Sequence, residues 1–206
     1  MKRSLLVVAA FAAVSLLHAQ FEKGSILLGG NIEFAESKGE ISGTKATGVS
    51  VCPSIGVAVS QNLFAGINVI YSRAKNDVNG DNNYDSRVTG GQVFLRRYVF
   101  LGAGFNIFGE ADAFGESAKN SQVSAGVTSA GKTTSFGIAA WPGISYGATR
   151  CLQLEIGMPN FLNFAFSKGK TFQNGLLTEK TNLASFSVAG SAYSYVTLGF
   201  RFLIPR

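Results

Sequence analysis

Six charged residues stand inside otherwise apolar or small-residue stretches of this chain: Glu33, Arg96, Glu110, Asp112, Glu155 and Arg201. Mixed in sign and few in number, they are the first candidates for chemistry. Carboxylates and guanidinium groups placed this way can line a conducting path or pair inside a packed interior, because an unpaired ion among side chains is costly. Conventional catalysis finds less support. The only histidine, His18, lies in the first twenty residues, in a segment read below as removed. Without it the chain lacks the commonest general base and the Ser–His and Cys–His nucleophile pairs. No catalytic residue, cofactor site or metal site is therefore assigned, and a non-enzymatic protein is expected.

Two smaller motifs invite chemistry. In "DVNGDNNYD" (residues 77–85), Asp77, Asn79 and Asp81 hold the first three ligand spacings of an EF-hand loop. The sixth position is Asn82 rather than Gly and the twelfth is Val88 rather than Glu, so a solvated turn is the expectation and calcium binding stays open. Cys52 and Cys151 form an even, exported set that could pair. The elements described next separate them by about eight residues along a strand, roughly 26 Å, whereas a bridge needs Cα atoms within about 7 Å. Two free thiols are expected. The glycine pairs "LLGG" and Gly90-Gly91 match no phosphate-binding loop and suit the turns and curvature of a sheet.

The elements that hold these residues follow from a period of two. From Val49 to Val59 the odd positions read Val, Val, Pro, Ile, Val, Val, and the even ones Ser, Cys, Ser, Gly, Ala, Ser; after Gln61-Asn62 the odd positions resume as Leu63, Ala65, Ile67, Val69 and Tyr71. Such alternation marks strands with unlike faces, and runs of about ten residues exceed the usual five or six. Further strands are expected near residues 24–35, 86–98, 105–116, 134–149, from 152, and 185–203, eight in all. Short connections at Gln61-Asn62, residues 100–104 and Arg150-Cys151 alternate with four longer polar loops at residues 37–45, 74–85, 117–133 and 167–184. "VCPSIGVAVSQNLFAGI" (51–67) also aligns without gaps on "AWPGISYGATRCLQLEI" (140–156), with Pro53, Ile55, Leu63 and Ile67 matched by Pro142, Ile144, Leu152 and Ile156. Equivalent hairpins half a ring apart would explain the match.

Composition then selects the surroundings. Of 206 residues, 46% are hydrophobic and only 15% charged, against about 25% charged in an average soluble domain. The start, "MKRSLLVVAAFAAVSLLHAQ", has a basic end, an apolar run from Leu5 to Leu17 and a small Ala19 before Gln20. It reads as a cleaved signal peptide over residues 1–19, and that run is too short to span a bilayer as a helix. Losing Lys2 and Arg3 leaves a small excess of the basic residues over the 12 acidic ones. So weak and dispersed an excess does not suit nucleic-acid binding. A soluble lipocalin-like barrel would turn Val51, Ile55 and Val57 inward and wet the Ser, Gly, Ala and Cys parity, which carries too little charge for water. Facing lipid instead, the apolar parity explains both the shortage of charge and the strand length, since a tilted strand crosses in about 9–11 residues.

With these features, "PSIGVAVSQNLFAGINVIYS", "FLRRYVF" followed by "FGEADAFG", "WPGISYGATRCLQLEIG" and "YVTLGFRF" resemble the small outer-membrane β-barrel proteins common in Bacteroidetes, themselves similar to eight-stranded barrels of the OmpA/OmpX type. The resemblance covers nearly all of residues 20–206. It implies a closed, all-β, eight-stranded antiparallel up-and-down transmembrane barrel in the outer membrane of a Gram-negative cell, with Arg96 and Glu110 at the family's Arg and Glu strand positions. Many such barrels end on Phe, whereas here Phe202 is followed by Leu-Ile-Pro-Arg. The expected function is a non-enzymatic structural or surface-contact role through four extracellular loops, with the six charges plugging the lumen. A narrow porin is the alternative, and a soluble secreted barrel the third reading. The expected partners are outer-membrane lipid and an extracellular partner met by the loops, with no nucleic acid and a monomeric state.

Overall fold

The computed structural model describes residues 21–39, 44–78, 82–124, 127–159, 161–188 and 197–205. The proposed signal peptide and His18 lie outside them, as do Asn79 and Asp81 of the calcium-like turn. Ten antiparallel strands follow in chain order: β1 (Ile26–Gly39), β2 (Thr44–Ser60), β3 (Leu63–Val78), β4 (Asn82–Gly102), β5 (Phe105–Ser124), β6 (Val127–Gly147), β7 (Leu152–Gly157), β8 (Leu162–Gln173), β9 (Leu176–Val188) and β10 (Thr197–Ile204). Each of β1 to β6 pairs with the next, β6 continues to β7, β7 pairs with β10, and β10 returns to β1. Eight of the ten strands thus close into a ring.

The expected seventh and eighth strands are each split, which corrects the count of eight. β6 is long enough to serve two partners: Gly143–Gly147 pairs with β7, and Ser129–Ala140 pairs with β8. β8 then turns into β9, and β10 closes the ring below. Among the described residues β9 pairs with β8 alone, and β1 beyond Ile32 pairs with β2 alone, so the full ring exists only in the half that holds β7 and β10.

The polar loops are also corrected. Residues 74–78, 82–85, 117–124, 127–133 and 167–173 belong to the ladders, as do 176–184. The β4–β5 ladder runs without a break from Asn82–Ser124 down to Phe100–Asn106. Polar side chains are no obstacle to such pairing, because the ladder uses backbone groups and hairpin growth adds a bond per residue. The short turns lie where expected. Asn62 takes a positive φ of 59° between β2 and β3, and Gly102, Ala103 and Gly104 all do so between β4 and β5.

The two faces of the ring are chemically opposite. Val51, Ile55, Val57, Ile67, Val69, Val93, Leu95, Ile107, Ile138, Ile144, Leu154 and Ile156 are all exposed on the outside, whereas the other parity of the same strands is buried within the ring. That interior is not only small and polar. Phe21, Phe64, Phe94, Tyr98, Phe108 and Trp141 form one buried cluster with Leu27 and Leu203 at the short-turn end. Inward glycines make room for these rings: a Cβ at Gly157 would meet the Trp141 ring at 2.3 Å, and one at Gly66 the Phe94 ring at 2.5 Å. The matched segments 51–67 and 140–156 form the β2–β3 and β6–β7 hairpins, four places apart in the eight-strand ring.

Candidate functional site

The ring's centre is held by an ion cluster built from inward positions on four strands. Arg96 of β4 stands directly opposite Glu110 of β5 in the register, and its Nε donates to Glu110 Oε2. Its Nη1 reaches across the ring to β7, 2.7 Å from both oxygens of Glu155. Tyr98 completes the group, its hydroxyl donating to Glu155 Oε1 at 2.8 Å. Arg201 of β10 brings Nε to 3.4 Å from Glu155 Oε2. All five side chains are buried.

Aromatic rings enclose the guanidinium of Arg96. Its central carbon lies 4.3 Å from the centroid of the Phe108 ring and 5.4 Å from that of Trp141, with Phe94 and Tyr98 each at 5.9 Å. Rings at such distances attract a cation through their quadrupole, more so where water is excluded. Two guanidinium groups against two carboxylates leave the cluster formally neutral. Neutrality and mutual hydrogen bonding are what allow charges to persist in such a place. The arrangement ties β4, β5, β7 and β10 together across the ring.

Of the six candidate charges, Arg96, Glu110, Glu155 and Arg201 are brought into one network. Asp112 stands at the edge of that network: its carboxyl lies beside that of Glu110, and its Oδ2 accepts from Trp141 Nε1 at 2.8 Å. Glu33, half-buried on β1, is outside the network. Glu33, Glu110 and Asp112 line a cavity of about 230 Å³ on the hairpin side of the cluster, together with Asn68, Gln92 and Glu116. Asn68 Nδ2 donates to Gln92 Oε1 across β3 and β4 at 2.8 Å.

Several contributors escaped the sequence reading. Tyr98 has the same parity as Arg96, two residues on, and Trp141 lies opposite Glu110 in the β5–β6 register. Parity alone would have placed both inside. The charges drew attention at those inward positions, and the aromatics that share their parity did not. Cys52 and Cys151 are both free thiols, one in β2 and one in the β6–β7 turn. Among the described residues no group of three or more His, Cys, Asp or Glu could hold a metal ion, and no helix is long and apolar enough to cross a membrane, which does not bear on strands.

No family model matches the chain, and no curated protein matches it. Among solved structures, that of Neisserial surface protein A (NspA) is similar, with 16% identity over 89% of this chain and 98% of the other, at a TM-score of 0.41.

Proposed function

We propose that the ring is an integral β-barrel of a Gram-negative outer membrane, exported by a signal peptide at residues 1–19. Its lumen is plugged at the short-turn end, and its function is non-enzymatic: structural, or contact-making at the cell surface through the hairpin end. The observation that carries this reading is the apolar belt outside the ring. Soluble monomers rarely expose contiguous apolar patches beyond a few hundred Å², and here most outward positions of the ring are apolar for about ten residues of each longer strand.

The belt has the borders a bilayer demands. At the short-turn end Phe105 packs on Tyr146 with ring centroids 4.8 Å apart, and at the hairpin end Phe136 stacks on Phe166 at 5.6 Å. Tyr146 and Phe136 are ten positions apart on β6, the number a tilted strand uses to cross a hydrocarbon core. Aromatic girdles at both interfaces are typical of outer-membrane barrels, as are short periplasmic turns with longer extracellular connections. Beyond the upper border the outward positions become Thr47, Arg73, Ser117, Thr134 and Lys168. Outward-facing Arg97, opposite Leu63 beside the Gln61–Asn62 turn, sits low enough for its guanidinium to reach the lower interface.

The plugged lumen favours a silent barrel over the narrow porin, because eight strands leave an interior just wide enough for side chains to fill. Membrane fractionation of the native host, with heat-modifiable gel migration of the extracted protein, tests location and closure together. Recovery in the outer-membrane fraction with a faster-migrating unheated form is expected, whereas a soluble fraction would refute the proposal. Steady conductance steps from the refolded protein in a planar bilayer would replace the plugged barrel by the porin.

A further inference from the structure

We infer that the cavity on the hairpin side of the ion cluster is a binding site for an organic ammonium cation, one with two amino groups. The inference rests on the inward side chains of β1 to β6 and not on what surrounds the sheet, so it stands or falls separately from the membrane reading. Charge is the first ground. Asp112, Glu33 and Glu116 line the cavity, and no Lys, Arg or His is among its described lining residues. The two nearby guanidinium groups are paired with other carboxylates, Arg96 with Glu110 and Glu155, and Arg201 with Glu155, although Arg96 Nη2 and Arg201 Nε keep no hydrogen-bond partner. The described lining of the cavity is therefore acidic.

Unfilled acceptors are the second ground. Asn68, 6% exposed, spends its Nδ2 on Gln92 and leaves Oδ1 without a partner. Asp112, 4% exposed, spends Oδ2 on Trp141 and leaves Oδ1 without a donor, its carboxyl lying beside that of Glu110. Buried polar atoms are nearly always hydrogen-bonded, and both orphans are acceptors lining the same cavity. They call for a donor carrying positive charge.

The chemistry of that donor follows from what the cavity lacks. With no cluster of three or more acidic, His or Cys side chains able to hold a metal among the described residues, a bare divalent ion has too few ligands here. An ammonium group presents three separate N–H donors and can meet scattered acceptors one at a time. Phe114 and Trp141 also line the space, and aromatic faces suit an alkylammonium better than a hydrated inorganic ion. Its volume of about 230 Å³ exceeds the roughly 30 Å³ share of one water severalfold. Asp112 and Glu116 lie four residues apart on one face of β5, about 13 Å at the usual strand rise. Carboxylates at two depths match a cation charged at both ends.

Trp141 is the only tryptophan in the chain, so its emission reports on the site directly. The full chain, folded in non-ionic detergent, is titrated with 1,4-diaminobutane at constant ionic strength, with magnesium chloride as the parallel titrant. A saturable change in Trp141 emission is expected with the diamine, weakened at least tenfold in Asp112→Asn. Glu116→Gln, altered at the half-buried rim and away from the ion cluster, should weaken it severalfold and decides the matter should Asp112→Asn not fold. An unsaturable or absent response overturns the site, as does magnesium acting at the same concentrations, or affinity unchanged in Glu116→Gln.

Discussion

At the scale of single residues, the interior depends on Glu155. It accepts from Arg96 and Tyr98 and faces Arg201, so it links β4, β7 and β10. Replacing Glu155 by Ala leaves two buried guanidinium groups short of a counter-charge. Breaking a buried pair in this way costs about 3–5 kcal/mol, and the loss should appear in urea unfolding of the detergent-folded protein. A change below 1 kcal/mol would mean that the cluster is wetted and loosely held. Gly157 makes a steric test of the same interior. A Cβ there meets the Trp141 ring at 2.3 Å, and overpacking of this kind costs about 1–3 kcal/mol. Gly157→Ala should lower the unfolding midpoint and shift Trp141 emission as its ring moves off Asp112.

At the scale of elements, the hairpin of β3 and β4 is held above the belt by Asp85. Arg73 and Arg87 face each other in the register, and Asp85 answers both: Arg73 Nη2 lies 2.7 Å and Arg87 Nη2 3.5 Å from its Oδ2. The hydrogen bond from Arg73, with the charges of Arg73 and Arg87 behind it, holds the Asp85 carboxyl below its ordinary range. A group so lowered adds stability that is complete above its unfolded range and is lost as pH falls through its folded one. The thermal midpoint of the native chain should therefore exceed that of Asp85→Asn at neutral pH, and the gap should close on acidification; a gap that persists in strong acid would dismiss the pair.

β9 offers a second test at this scale. Its outer edge is unpaired among the described residues, and hydrocarbon does not tolerate bare backbone groups. In a bilayer the amides of Leu183–Val188 should exchange far more slowly than in buffer-exposed hairpins, because β9 must find a partner there. Fast exchange at those amides would place β9 outside the lipid.

Strand positions were legible because parity survives every detail of length. Val51, Ile55 and Val57 announced an outer face, and Glu110, Glu155 and Arg201 an inner one. The hairpin extensions were not legible, since Ser117 to Ser124 carries no apolar alternation and owes its strand to the ladder beside it. One signal was passed over. Asn174 and Gly175 both have positive φ, 48° and 82°, as a two-residue hairpin turn requires, yet residues 167–184 read as loop because of their polarity. Trp141 and Tyr98 were hidden for a different reason: the pattern gives a face to each residue but not the partners that meet across a ring.

At the scale of the whole molecule, the proposed function follows from the medium outside the ring. The belt of Ile67, Val93, Ile107 and Ile144 is exposed, and the proposed function seats it in a bilayer, where an apolar outer face is stable. Nitroxide scanning in lipid vesicles measures that medium most directly. With Cys52 and Cys151 replaced by Ser, single labels are placed at Ile67, Val93, Ile107 and Ile144 and at the inward neighbours Asn68 and Gln92. The predicted result is strong collision with oxygen and almost none with a water-soluble nickel chelate at the four outward sites, reversed at the inward pair. Outward labels that meet the nickel chelate as freely as a label at Lys119, or protein that does not float with the vesicles, would contradict it.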